Sequence, residues 1–164
     1  MRYNRIKLND VANGPGIGIS LYTQGCPHHC KGCFNKETWS FDGGKPFTQE
    51  EEKLIIDNLN GNGIKRHLSI LGGEPFCPQN IDGVLNFCEW VKIKSPETKI
   101  YVWTGYNVET IMEDYSLEDI DFVIDGKFEE SLKDLSLKWR GSSNQRVIDV
   151  KKSLEQEKLV IIIP

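Results

Sequence analysis

Nowhere in this 164-residue sequence does an apolar run approach the roughly 18–20 residues that cross a membrane, and Met1–Asp10 has no apolar centre of the kind a secretion signal carries. A cytoplasmic location and no membrane partner are therefore expected. Positive charge is not in excess either: 20 Lys and Arg against 24 Asp and Glu leave a net charge of −4. Without a bulk positive field nonspecific nucleic-acid binding loses its driving force, so no nucleic-acid partner is expected. Internal repeats and low-complexity tracts are missing, and the length falls short of the about 250 residues of a complete eight-stranded β/α barrel. What fits is a single domain over residues 1–164, built on an open or partial α/β sheet. A paired disulfide framework is also missing: the five cysteines are an odd count, and Cys26, Cys30 and Cys33 crowd into eight residues. Neighbours that close suit a metal site, in a compartment that keeps thiols reduced.

What is present alternates between strand and helix signals. Ile17–Thr23 is a short β-branched and aromatic run that predicts a strand, and the cysteine loop follows it directly. Thr48-Gln49-Glu50-Glu51 has the form of a capping box, opening a first helix with Leu54, Ile55, Ile56 and Leu59 near helical spacing. His67–Leu71 predicts the next strand and runs into Gly72-Gly73-Glu74-Pro75. Asn80 is positioned to cap a second helix whose apolar residues Ile81, Val84, Leu85, Cys88 and Val91 follow the i, i+3, i+4, i+7 rule, ending before Pro96. Lys99–Trp103 reads as a third strand, Asn107 as the cap of a helix to about Tyr115, and Asp121–Ile124 as a fourth strand. Such alternation implies βαβ units and a parallel sheet, whose carboxyl edge is where sites form. Four loops, Gly25–Asn35, Gly72–Phe76, Thr104–Tyr106 and Asp125–Phe128, should converge there. Residues 150–164 are a tail of open structure, in which Leu159–Pro164 is a candidate edge strand.

Cys26-x3-Cys30-x2-Cys33 offers three thiolates from one loop, a set that suits either zinc or an iron–sulfur cluster. A closed zinc knuckle would take His28, His29 or Cys77 as a fourth ligand. A four-iron cluster on three cysteines would instead leave one iron open, which favours catalysis over scaffolding. Gly72-Gly73-Glu74-Pro75 reads as a strand-to-helix turn or as a loop whose glycines let backbone carbonyls approach a ligand. Phe34 and Trp103 are core aromatics or pocket walls. Cys88 falls on the apolar face of the second helix and reads as a buried thiol. Cys77, His28, His29 and His67 read as incidental to metal binding.

The three-cysteine motif, Asn13-Gly14-Pro15-Gly16 and Gly72-Gly73-Glu74-Pro75 together resemble the radical S-adenosylmethionine enzymes of the glycyl-radical-enzyme activating group. Gly32-Cys33-Phe34-Asn35 with Trp39, Tyr101–Tyr106, Asp125–Phe128 and Trp139–Arg146 extend the likeness to the branch whose partner is anaerobic ribonucleoside-triphosphate reductase. It covers about Tyr3 to Asp149. The resemblance implies a partial, open TIM-like barrel of βα units. It implies a 4Fe-4S cluster on Cys26, Cys30 and Cys33, with the fourth iron binding S-adenosylmethionine. One electron would cleave that cofactor to a 5′-deoxyadenosyl radical, which takes hydrogen from a glycine of the reductase. By the same resemblance Gly72 and Gly73 meet the methionine ammonium and Glu74 adds an opposite charge. Gly32, Cys33 and Phe34 flank the adenine end, and a low-potential carrier such as flavodoxin supplies the electron. No role attaches to Arg140 or Arg146 beyond a possible anion or partner contact. The family often has an arginine where Gly18 stands, so the cofactor or partner contact made by that arginine is not expected here. Two alternatives remain: an activator of another glycyl radical enzyme of the pyruvate formate-lyase type, and a non-catalytic zinc-binding module.

Overall fold

A computed structural model describes all residues, 1–164. Eight strands form one open sheet: β1 (Arg2–Asp10), β2 (Gly18–Thr23), β3 (Lys45–Pro46), β4 (His67–Gly72), β5 (Ile100–Trp103), β6 (Phe122–Asp125), β7 (Arg146–Asp149) and β8 (Ile161–Ile162). Their order is β3-β1-β2-β4-β5-β6-β7-β8. The four strands predicted from sequence are β2, β4, β5 and β6, and they pair in parallel. The expectation of a wholly parallel sheet is corrected at both flanks, where β1, β3, β7 and β8 pair antiparallel. The edges β3 and β8 do not meet, so the sheet is not closed.

Period-2 alternation sorts the parallel strands into two different faces. Ile19 and Leu21 of β2, Leu68 and Ile70 of β4, Ile100 and Val102 of β5 and Val123 of β6 point into a core of 21 buried residues. All four helices pack on that face: α1 (Gln49–Leu59), α2 (Ile81–Lys94), α3 (Val108–Met112) and α4 (Val150–Gln156) each contribute buried residues to it. The opposite face carries Ser20, Tyr22, His67 and Ser69 beside a small cluster of Tyr101, Ile124 and Val147, with Trp103, Phe122, Trp139 and Ile162 packed on it. A strand buried under helices on both sides reads as continuously apolar. The polar alternates of β2 and β4 mark the uncovered face, and the site forms on it.

Local signals explain some boundaries and mislead at others. Thr48 and Glu51 form the predicted capping box of α1. Asn80 begins α2 but makes no side-chain cap; its Nδ2 donates to the carbonyls of Gln24 and Glu74, tying helix to site. Asn107 also makes no cap, because Asp125 of β6 accepts from the Val108 amide, and α3 stops at Met112, short of Tyr115. Three strands were not expected: β1, the two-residue β3, and β7 within the Trp139–Asp149 stretch. The candidate edge strand in the tail exists as β8, where Ile161 and Ile162 pair with β7.

Candidate functional site

Residues of all four predicted loops line one cavity of about 410 Å³ at the carboxyl edge of the parallel strands. That size is in the range of small-molecule sites. Cys26, Cys30 and Cys33 all open into it. Their loop is anchored where it leaves β2: the Gly25 amide donates to the Thr38 carbonyl at 2.7 Å and the Cys26 amide to Trp39 at 3.0 Å. Burial pushes the Cys26 thiol up to about 11, with the Glu74 charge adding to the shift and the His28 amide opposing it. Burial also raises Cys30. Metal binding at these sulfurs must therefore release protons. No three Cys, His, Asp or Glu side chains converge on a single-ion position.

The Gly72–Pro75 loop meets the cysteine loop closely, which is the use the structure makes of its glycines. Gly72 sits at φ 101°, and a Cβ on Gly73 would come within 2.5 Å of the Gly25 carbonyl oxygen. Glu74 is 1% exposed and its carboxylate accepts from four donors. Oε1 takes the Phe76 amide (2.9 Å) and the Thr104 hydroxyl (2.7 Å). Oε2 takes the Gly105 amide (2.7 Å) and faces His28 Nε2 at 2.7 Å. Its two oxygens are thus engaged by protein groups, and its charge reaches the cavity through them.

His28 accordingly lines the cavity and braces Glu74, a place in the site distinct from metal ligation, to which the histidines read as incidental. Its ring also packs on Tyr106 at 4.6 Å, in the space a side chain on Gly105 would fill. His29 stacks on Trp39 at 4.7 Å. His67 faces the Asn13 carbonyl at 2.7 Å, beside Ser69, which donates to the same oxygen. A Cβ on Gly18 would lie 2.2 Å from the His67 ring, so His67 occupies the room that an arginine at position 18 would need. Burial holds the His67 imidazole below its usual range, in spite of the Asn13 carbonyl.

The remaining predicted residues divide. Gly32 turns at φ 74° against Glu130. Phe34 is 56% exposed, lines the cavity and packs on Phe128 at 5.3 Å, so it is a wall rather than core. Trp103 is also a wall, and its indole donates to the Trp139 carbonyl at 2.6 Å. Cys77 and Cys88 are fully buried and away from the cavity lining. The sequence marks Trp139–Arg146 as part of the family likeness, with an anion or partner contact for Arg140 or Arg146 and no role for its other residues; in the structure Trp139, Arg140, Gly141 and Gln145 line the cavity as a strap. Gln145 Oε1 accepts from the Gly141 and Ser142 amides, its Nε2 donates to Gly126, and Asn144 donates to Lys127. Arg146 is spent on Asp125 and Glu109, whose bonds hold its guanidinium charged.

Three thiols on one loop open into a cavity at the end of an open α/β sheet, the donor set of a metal-binding protein, and the chain belongs to the 4Fe-4S single cluster domain family, which matches residues 12–148. Particular relatives narrow the likeness. The chain is 42% identical over 150 residues to the anaerobic ribonucleoside-triphosphate reductase-activating protein of Escherichia coli (strain K12), covering 90% of this chain and 97% of that protein. It is 43% identical over 148 residues to the protein of the same name from Vibrio cholerae serotype O1 (88% and 96%). It is 42% identical over 147 residues to that of Enterobacteria phage T4 (90% and 93%). No helix is long and apolar enough to cross a membrane.

Proposed function

We propose that this chain activates anaerobic ribonucleoside-triphosphate reductase by generating its glycyl radical, as a radical S-adenosylmethionine enzyme of the glycyl-radical-enzyme activating group. The observation that carries the reading is the cavity itself. Cys26, Cys30 and Cys33 line it without a fourth thiol, the donor set that would hold a 4Fe-4S cluster with one iron open. His28 Nε2 is engaged by Glu74, and His29 stacks on Trp39. The names of the relatives point to the same partner. All four helices on one face of the sheet support a partial TIM-like barrel with the site on its inner side.

With Cys26, Cys30 and Cys33 holding it, a reduced 4Fe-4S cluster would supply the one-electron chemistry that turns S-adenosylmethionine into a hydrogen-atom abstractor for a glycine Cα of the reductase. The chain binds and encloses. Gly72 and Gly73 present backbone to the methionine ammonium, and Glu74 braces the loops around it. Gly32 and Phe34 flank the adenine end. Trp103 and Trp139 form an apolar wall that limits water. The electron comes from a low-potential carrier such as flavodoxin, and the reaction runs in the cytoplasm, where thiols stay reduced.

Anaerobic reconstitution with iron and sulfide, then dithionite and S-adenosylmethionine, tests the reading. About four irons per chain and 5′-deoxyadenosine formation, lost on replacing any of Cys26, Cys30 or Cys33 with Ala, are expected. With the reductase added, a glycyl radical signal should follow by electron paramagnetic resonance. A colourless protein holding about one zinc, with no 5′-deoxyadenosine, would overturn it. Radical formation only on a partner of the pyruvate formate-lyase type would move the activity to that enzyme.

A further inference from the structure

Arg140 is an unmatched cation in the cavity wall. It is the only Lys or Arg among the lining residues. Its Nε is buried and has no hydrogen-bond partner. Of its five N–H donors, the one with a partner is on Nη1, which reaches the Gln145 carbonyl at 3.2 Å. The other arginines are engaged. Arg5 pairs with Glu37, and Arg146 with Asp125 and Glu109. Arg2 is bound by the carbonyls of Gly43 and Gly44, and Arg66 by Asn9 and three carbonyls. Asp134, which precedes the strap, is near enough to feel the Arg140 charge, but its carboxylate accepts from the amide and hydroxyl of Ser136 and forms no ion pair with Arg140.

The backbone on both sides of Arg140 is pinned. Trp139 is held at φ 63°, a left-handed conformation rare for a bulky residue, while its carbonyl accepts from Trp103. The Gly141 amide is held by Gln145 at 2.8 Å. Left-handed backbone at a non-glycine residue persists where the surroundings over-determine it, and clusters at ligand clamps. The cavity's one acid, Glu74, already has a full set of donors. A bound molecule's anionic group therefore finds one unspent cationic side chain, a planar fork suited to a carboxylate, with the unpaired Trp39 indole N–H as a neutral donor on the same lining.

We propose that Arg140 receives the carboxylate of the small molecule bound in this cavity. The assignment rests on the reading that this molecule is S-adenosylmethionine, whose α-carboxylate is its only anion. Arg140 is thus a binding residue, and Arg146 a structural one.

The test is equilibrium dialysis of the anaerobically reconstituted protein with S-adenosylmethionine and with its decarboxylated analogue. Iron content and circular dichroism are measured on every variant. Arg140→Gln should weaken S-adenosylmethionine binding about tenfold or more and leave the analogue's affinity unchanged. Arg140→Lys, which keeps the charge without the fork, should fall between. The cluster's own hold on the carboxylate is common to wild type and variant and cancels in the comparison. Equal losses for both molecules, or no loss for either, would overturn the assignment. So would a variant that loses iron while keeping its preference for the carboxylate, since the guanidinium would then serve the cluster. Wild-type protein that takes up iron and binds neither molecule would overturn the cofactor reading as well, which separates the two failures.

Discussion

Glu74 gathers donors from three loops, and the chemistry of a carboxylate explains why no near relative of that side chain would serve. Each of its oxygens receives two donors. Glu74→Gln keeps the shape but turns an NH2 toward one of those pairs, leaving buried donors facing a donor. A loss of about 1–3 kcal/mol is expected, read as a lower denaturation midpoint at unchanged m. Wild-type stability in that variant would mean the carboxylate is not the brace the geometry implies. Gly18 and His67 make a second coupled pair, because the imidazole fills the space beside the glycine. Gly18→Ala should cost about 1–3 kcal/mol by overpacking. His67→Ala in the same chain should recover most of it, giving a coupling energy in a double-mutant cycle. Additive losses would show that the ring moves aside freely.

Asp121 does between elements what Glu74 does between loops. Its 2%-exposed carboxylate accepts from Lys92 of α2 at 2.6 Å, from Lys99 at 2.9 Å, and from the first amide of β5, Ile100, at 3.0 Å. Burial alone would raise its pKa, but these donors outweigh burial and hold it below the usual 3.8. A carboxyl depressed in the folded state adds stability that is present above its unfolded pKa and lost as pH falls through the folded one. Unfolding followed from pH 6 downward should therefore show stability falling below about pH 4. Asp121→Asn should be about 3 kcal/mol weaker at pH 6 and have a shallower acid dependence. Parallel curves for the two proteins would remove Asp121 from the account. None of this was legible from the sequence, where Asp121 reads as the start of a strand. The elements themselves were legible where local pattern decides, as in the α1 capping box and the α2 stripe. Asn80 and Asn107 misled because distant partners took over: Gln24 and Glu74 bind the Asn80 side chain, and Asp125 caps α3. β1 was hidden by a register shift between Tyr3 and Arg5, which breaks its alternation and lets Tyr3, Ile6 and Leu8 all pack on the core.

At the scale of the molecule, the sheet divides labour between its faces and between its edges. The parallel strands β2, β4, β5 and β6 end at the site, and their following loops carry unusual composition, so their convergence could be read before any fold was known. The strap over the cavity could not be, because its roles come from contacts such as Trp103 to Trp139 and Gln145 to Gly126, which no local spacing encodes. The same strap links the site to the far edge. Trp139 packs in the cluster that Ile162 of β8 also joins, and Leu159 packs on the main core. The tail is pinned further by the Asp149 amide to the Val160 carbonyl at 3.0 Å and by the Val160 amide to the Ser153 hydroxyl at 2.9 Å. The thiols, by contrast, are anchored through Thr38, Trp39 and the Glu74 loop. Truncation after Lys158 should therefore cost about 2–4 kcal/mol from lost apolar burial, while iron uptake per folded chain stays at the full-length value. Thermal unfolding and iron content, measured on the same anaerobic samples, check both halves. Iron lost in step with stability would mean that the sheet's far edge helps to shape the cysteine loop, against the separation of anchors described above.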